Sequence, residues 1–197
     1  MNPKTKAFIE KTRKEFNLFF GFSIDKINVT LLNTRKEINK KLKRKTEGWE
    51  VGWVNNRNIV FILSEEKFEK ESTHKKEDFW KVLKHEIAHV YLKKIMKNCA
   101  PEWLCEGIPL FLAKQTKKHV SLKESVNAID YFCKFDKNIY KHSGNLVYSL
   151  YKKFGKKKLL ELASSIKRDV TKKSFSKSFK EIYGFNLNKK ELVKNLR

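Results

Sequence analysis

Cysteine is scarce in this chain of 197 residues: Cys99, Cys105 and Cys133 form an odd set without a CxxC pair. Reduced, partly buried thiols are expected of them, and neither a disulfide framework nor a four-cysteine zinc site. Arginine is scarce as well. The 45 basic residues comprise 39 Lys and only 6 Arg, against 22 acidic residues, and the net charge is +23. Sites that read phosphate or guanine in a fixed geometry rely on the bidentate guanidinium fork. The lysine excess therefore reads as solvated helix faces, and a nucleic-acid partner is not expected despite the charge. Long hydrophobic runs are missing too. The apolar patch from Phe16 to Ile24 follows Lys4, Lys6, Glu10, Lys11, Arg13, Lys14 and Glu15, and is too short and interrupted for a signal peptide or a membrane span. A cytoplasmic location without a membrane partner is the expectation.

What is present is enough for a core. Hydrophobic residues make up 40% and aromatics 13%, which a disordered chain of this charge would lack. At ~100 to 200 residues per domain, the length predicts a single domain. Apolar positions Phe8, Ile9, Phe16, Phe19 and Phe20 predict a helix over Thr5–Phe20. Ile27–Leu32 reads as a strand and Arg35–Arg44 as a short basic helix. Trp49–Trp53 and Ile59–Leu63 read as a hairpin around the turn-rich residues 54–58. From Lys76 the texture changes: Phe79, Trp80, Leu83, Ile87, Val90, Tyr91, Ile95 and Met96 recur at helical steps. Pro101 opens a further helix to about Ala113, kinked at Pro109. More helices are predicted at Ile139–Phe154, Lys156–Lys167, Phe175–Tyr183 and Lys189–Leu196, with Arg168–Lys177 as an exposed connection. The fold class is α+β: a small mixed N-terminal sheet with helices over residues 1–75, then a mainly helical part over residues 76–197 within the same domain.

The most informative stretch is His85-Glu86-Ile87-Ala88-His89. A four-residue step on a helix turns about 400°, so both imidazoles share one face and can reach one zinc ion at about 2.0–2.1 Å. Glu86 then stands beside the metal, able to take a proton from water that the cation acidifies. Val82, Leu83 and Val90 make the setting apolar, where two His and a Glu need partners. A catalytic zinc also takes a third protein ligand and keeps a fourth position open. The next helix opens with Pro101-Glu102-Trp103-Leu104-Cys105-Glu106-Gly107.

A histidine pair on one helix followed by WLxEG on the next resembles the gluzincin peptidases, the group that includes thermolysin-like and aminopeptidase-like enzymes. That resemblance implies a zincin-like fold, one zinc ion, Glu106 as third ligand, and a peptide or protein substrate. The segment Tyr140-Lys141-His142-Ser143-Gly144 is similar to the Tyr-x-x-Ser stretch of these enzymes. By the same resemblance, Tyr140 donates to the developing oxyanion, with His142 as its rival. Ile59–Leu63 would be the edge strand on which the substrate backbone is laid. In related aminopeptidases a Gly-x-Met-Glu-Asn segment holds the free amine through its Glu; the matching stretch here is Gly52-Trp53-Val54-Asn55-Asn56, with Asn55 in place of that Glu. An endopeptidase or selective processing enzyme fits better than a general aminopeptidase.

Departures from the pattern define the alternatives. Sixteen residues separate His89 from Glu106, a shorter spacing than in the aminopeptidase relatives. Leu110 stands where thermolysin-like enzymes place an Asp that orients the ligand, leaving Glu102 as orienter or substitute ligand. A zinc-binding regulator with little peptidase activity is one rival, and a basic protein contacting nucleic acid through Lys40–Lys45 and Lys156–Lys158 is another. A structural zinc site, closed by His119, His142 or Cys105, is a third.

Overall fold

The structure, a computed structural model, describes residues 1–117, 119–133 and 136–197. These form α1 (Pro3–Phe20), β1 (Asn28–Leu32), α2 (Arg35–Leu42), β2 (Gly52–Val54) and β3 (Ile59–Leu63). A 3-10 turn at Lys76–Asp78 leads into α3 (Phe79–Ile95), followed by α4 (Glu102–Leu112) and α5 (Leu122–Ser125). After a second 3-10 turn at Val126–Asp130 come α6 (Ile139–Ser164), α7 (Lys172–Tyr183) and α8 (Lys189–Leu196). The fold is α+β, with a small mixed sheet confined to the N-terminal part. Two compact units divide at residue 91: Met1–Tyr91 and Leu92–Arg197.

In the first unit, α1 starts where Asn2 accepts from the Thr5 amide with Pro3 in the first turn. Its buried Phe16 and Phe20 pack on Tyr91, with ring centroids 5.6 and 5.0 Å away. The Tyr91 hydroxyl donates to the Arg13 carbonyl at 3.0 Å, and burial pushes its pKa up to about 12. Lys84 meets Glu15 at 2.7 Å. Together these contacts seat α3 on α1.

The sheet order is β1-β3-β2. β1 runs parallel to β3 from Asn28↔Ile59 to Leu32↔Leu63, and β2 runs antiparallel with Trp53 opposite Phe61. β3 is thus the central strand and not the edge expected from the sequence. Its Val60, Ile62 and Leu63 are fully buried, an apolar run suited to a strand flanked on both sides, whereas β2 is half-buried throughout and forms an edge. The approach to β2 is clamped by Arg35, whose guanidinium donates to the carbonyls of Glu47, Gly48, Glu50 and Glu71.

In the second unit, α4 begins after Pro101 and continues through Pro109 to Leu112. α6 consists of two helical stretches that meet at Gly155 (φ 81°, ψ 174°), where the sequence predicts two separate helices. α7 starts at Lys172 behind a capping box made by Thr171 and Ser174, so the connection before it is shorter than predicted. α5 is an element that the sequence reading lacks, although Ser121 and Glu124 close a capping box at its start. Among the described residues, no helix is long and apolar enough to cross a membrane.

Candidate metal centre

His85 and His89 lie one helical turn apart on α3, with their Nε2 atoms 3.1 Å from each other. The rings stand nearly edge to face, at a centroid distance of 4.8 Å. His85 is 6% exposed and His89 is half-buried, so the pair lies at the rim of the core. Glu86, between them in sequence, is 7% exposed. Its carboxylate lies against the edge strand: a Cβ placed on Gly52 would stand 3.0 Å from Glu86 Cγ and 3.2 Å from its Oε1. Gly52 therefore makes room for this carboxylate, a role that sequence reasoning missed. A glycine opening a strand was its only local signal.

Glu106 occupies the first half of α4. One ligand atom each from His85, His89 and Glu106 all lie within 4.8 Å of one another. Among the described residues, this is the group of His, Cys, Asp and Glu side chains able to share a metal, and it includes neither Glu102 nor His142. Glu102, one turn before Glu106, has its carboxyl pKa raised by burial first and by the charge of Glu106 second. Leu110, one turn after, is buried and apolar.

The donor set suits a borderline cation. Two imidazole nitrogens sharing a tetrahedral zinc at about 2.0–2.1 Å stand roughly 3.3 Å apart, close to the spacing of the His85 and His89 nitrogens. Three protein ligands leave the fourth position open, whereas a structural site would close it. Of the residues considered for that closure, Cys105 is bonded to Cys99 in a disulfide and has no thiolate to offer. That disulfide corrects the expectation of reduced thiols: a separation of six residues brings the two Cα atoms to 5.4 Å because the chain folds back into α4. Cys133 is the free cysteine.

The glycine of the WLCEG stretch has a packing role. A Cβ on Gly107 would lie 2.8 Å from the Ser143 carbonyl oxygen and 2.7 Å from Val147 Cγ2, so α4 and α6 approach at backbone contact. Trp103 is fully buried and meets Phe175 edge-on at 6.1 Å. Tyr140 sits half-buried in the first turn of α6. His142, also half-buried, has a buried Nδ1 without a hydrogen-bond partner. Burial, then Lys141, holds its pKa below the ordinary histidine value, against a smaller opposing pull from Glu124.

The remaining motifs are partly committed to the fold. Asn55 Oδ1 accepts from the amides of Arg57 and Ile59, so this side chain builds the β2–β3 turn. Within the Lys40–Lys45 run, Lys41 lies over the Phe61 ring at 4.7 Å and Arg44 pairs with Glu50. Lys158 covers the rings of Phe154 and Tyr183. The chain matches no protein-family model, no curated protein and no solved structure.

Proposed function

We propose that this chain is a zinc-dependent peptidase with a zincin-like fold of the gluzincin type, working in the cytoplasm as an endopeptidase or selective processing enzyme. The observation that carries the reading is the His85–His89 nitrogen pair at 3.1 Å, with the Glu86 carboxylate held beside it against β2. The grouping of Glu106 with both histidines supports it further. His85, His89 and Glu106 would hold the zinc ion, which when bound would supply Lewis acidity toward water and a scissile carbonyl. Glu86 takes the proton of the attacking water and later delivers it to the departing amine. Tyr140 donates a hydrogen bond to the developing oxyanion, with His142 as the alternative donor. An extended peptide is laid along the sheet beside β2, the edge strand that carries Gly52 next to Glu86. Asn55 is spent on the turn and leaves no carboxylate for a free amine, which favours internal cleavage over an aminopeptidase.

The test is metal content and cleavage of a mixed peptide library, measured for the wild type and for Glu86→Gln. About one zinc per chain in both proteins is expected, with kcat in the variant reduced roughly 10²–10⁴-fold. Absence of metal from the wild type would overturn the reading; full metal without cleavage in either protein would favour the regulatory alternative.

A further inference from the structure

We infer that the Cys99–Cys105 bond is a redox latch on the metal centre, which holds Glu106 in register for zinc when formed and loosens that hold when reduced. The inference rests on the metal reading above. Cys105 immediately precedes Glu106 and is 5% exposed, whereas Cys99 is exposed in the connection before α4. The bond closes a ring of chain that contains Pro101 and the first turn of α4, and so restricts the segment from which Glu106 projects. The surrounding chain is also held by main-chain bonds that do not involve the sulfurs: Glu102 donates to the Phe132 carbonyl, Trp103 to that of Tyr131, and Lys97 to that of Ile166. The helix therefore persists, and what loosens is the tether beside the ligand.

The exposure pattern sets the chemistry. The thiolate of a dithiol reductant attacks the exposed Cys99 sulfur and expels Cys105 as a thiolate, forming a mixed disulfide. The reductant's second thiol then attacks its own sulfur in that bond, releasing Cys99 as a thiolate and leaving the reductant as a cyclic disulfide. Two electrons pass from reductant to protein, and a disulfide oxidant reverses the exchange. Disulfides of cytosolic proteins in mesophiles are mostly transient, catalytic or redox-sensing, which suits a latch better than a permanent staple.

The experiment uses the full chain, oxidised and then reduced with a phosphine that adds no zinc-binding thiol. Thiol alkylation counts the bond, and competition with a chromophoric chelator gives the zinc affinity. One alkylated cysteine is expected before reduction and three after it, with zinc held about 10–100-fold more weakly in the reduced form, the loss typical of a disturbed ligand orientation. Cys99→Ser should bind at the reduced-state affinity with or without phosphine, and its melting curve reports whether it folds. Should it fail to fold, the comparison of the two wild-type forms decides alone. Equal affinities, tighter binding on reduction, or three reactive thiols in the oxidised preparation would each overturn the latch. Zinc bound by neither form would remove the metal reading and the latch with it, whatever the thiol count.

Discussion

Gly52 faces Glu86 across a gap that a single methyl group fills. An alanine Cβ there stands 3.0 Å from Glu86 Cγ and 3.3 Å from Cδ, and the nearly buried glutamate has little room to retreat. Gly52→Ala should therefore displace Glu86, the proposed general base, by a few tenths of an ångström while leaving the histidines in place. Small misplacements of a reacting group are costly, and a 1 Å error removes on the order of 10²-fold in rate. The expected outcome is a kcat about tenfold lower with zinc content unchanged, read from steady-state kinetics beside metal analysis. An unaltered kcat would mean that Glu86 acts from another rotamer. The site was unevenly legible at this scale. The pairing of His85 and His89 was readable because i, i+4 geometry is local to one helix, whereas the Gly52–Glu86 approach joins residues 34 positions apart and left no mark in either segment.

The corresponding contact between elements is Gly107 on α6. A methyl there meets the Ser143 carbonyl and Val147 at under 3 Å, and the main-chain partner cannot swing aside as a side-chain tip would. Alanine is favoured over glycine within a helix by about 1 kcal/mol, while overpacking costs typically 1–3 kcal/mol. Gly107→Ala should lower stability by up to roughly 2 kcal/mol, seen as a drop of up to about 8 °C in Tm, and weaken the proposed zinc binding because Glu106 is the adjacent residue. A melting temperature at or above wild type would show that α4 and α6 separate without loss. Helices were the legible elements, since periodicity and the stop at Gly184 are written locally, whereas the caps Asn2 and Thr171 start α1 and α7 two and three residues before the predicted Thr5 and Phe175. Sheet order was not. The hairpin was predicted from its turn, but which strand takes the centre depends on β1, which pairs from 31 residues away in sequence and buries β3 on its second side. The Cys99–Cys105 bond escaped for the same reason, because the return of the chain into α4 sets it and no CxxC spacing announces it.

For the molecule as a whole, the governing quantity is the net charge of +23, carried by lysines that are mostly solvent-exposed. Exposed ion pairs contribute little to stability, so the field of this excess acts mainly on what approaches. A positive field concentrates anionic ligands and raises association rates by 10- to 10³-fold at low salt. It is screened over about 10 Å at 0.1 M ionic strength and 3 Å at 1 M. If peptides are the substrate, kcat/KM for an acidic peptide should exceed that for a basic peptide of the same length by roughly tenfold at 10 mM salt and converge with it at 0.5 M. The difference should lie in KM or in the association rate, with kcat nearly independent of salt, because Glu86, the proposed base, is nearly buried. Matched peptides assayed across a salt series measure this directly. A preference for acidic peptides that persists at 0.5 M would point instead to a specific contact beside the cleavage point, and no preference at low salt would mean that the lysine field is directed away from the site.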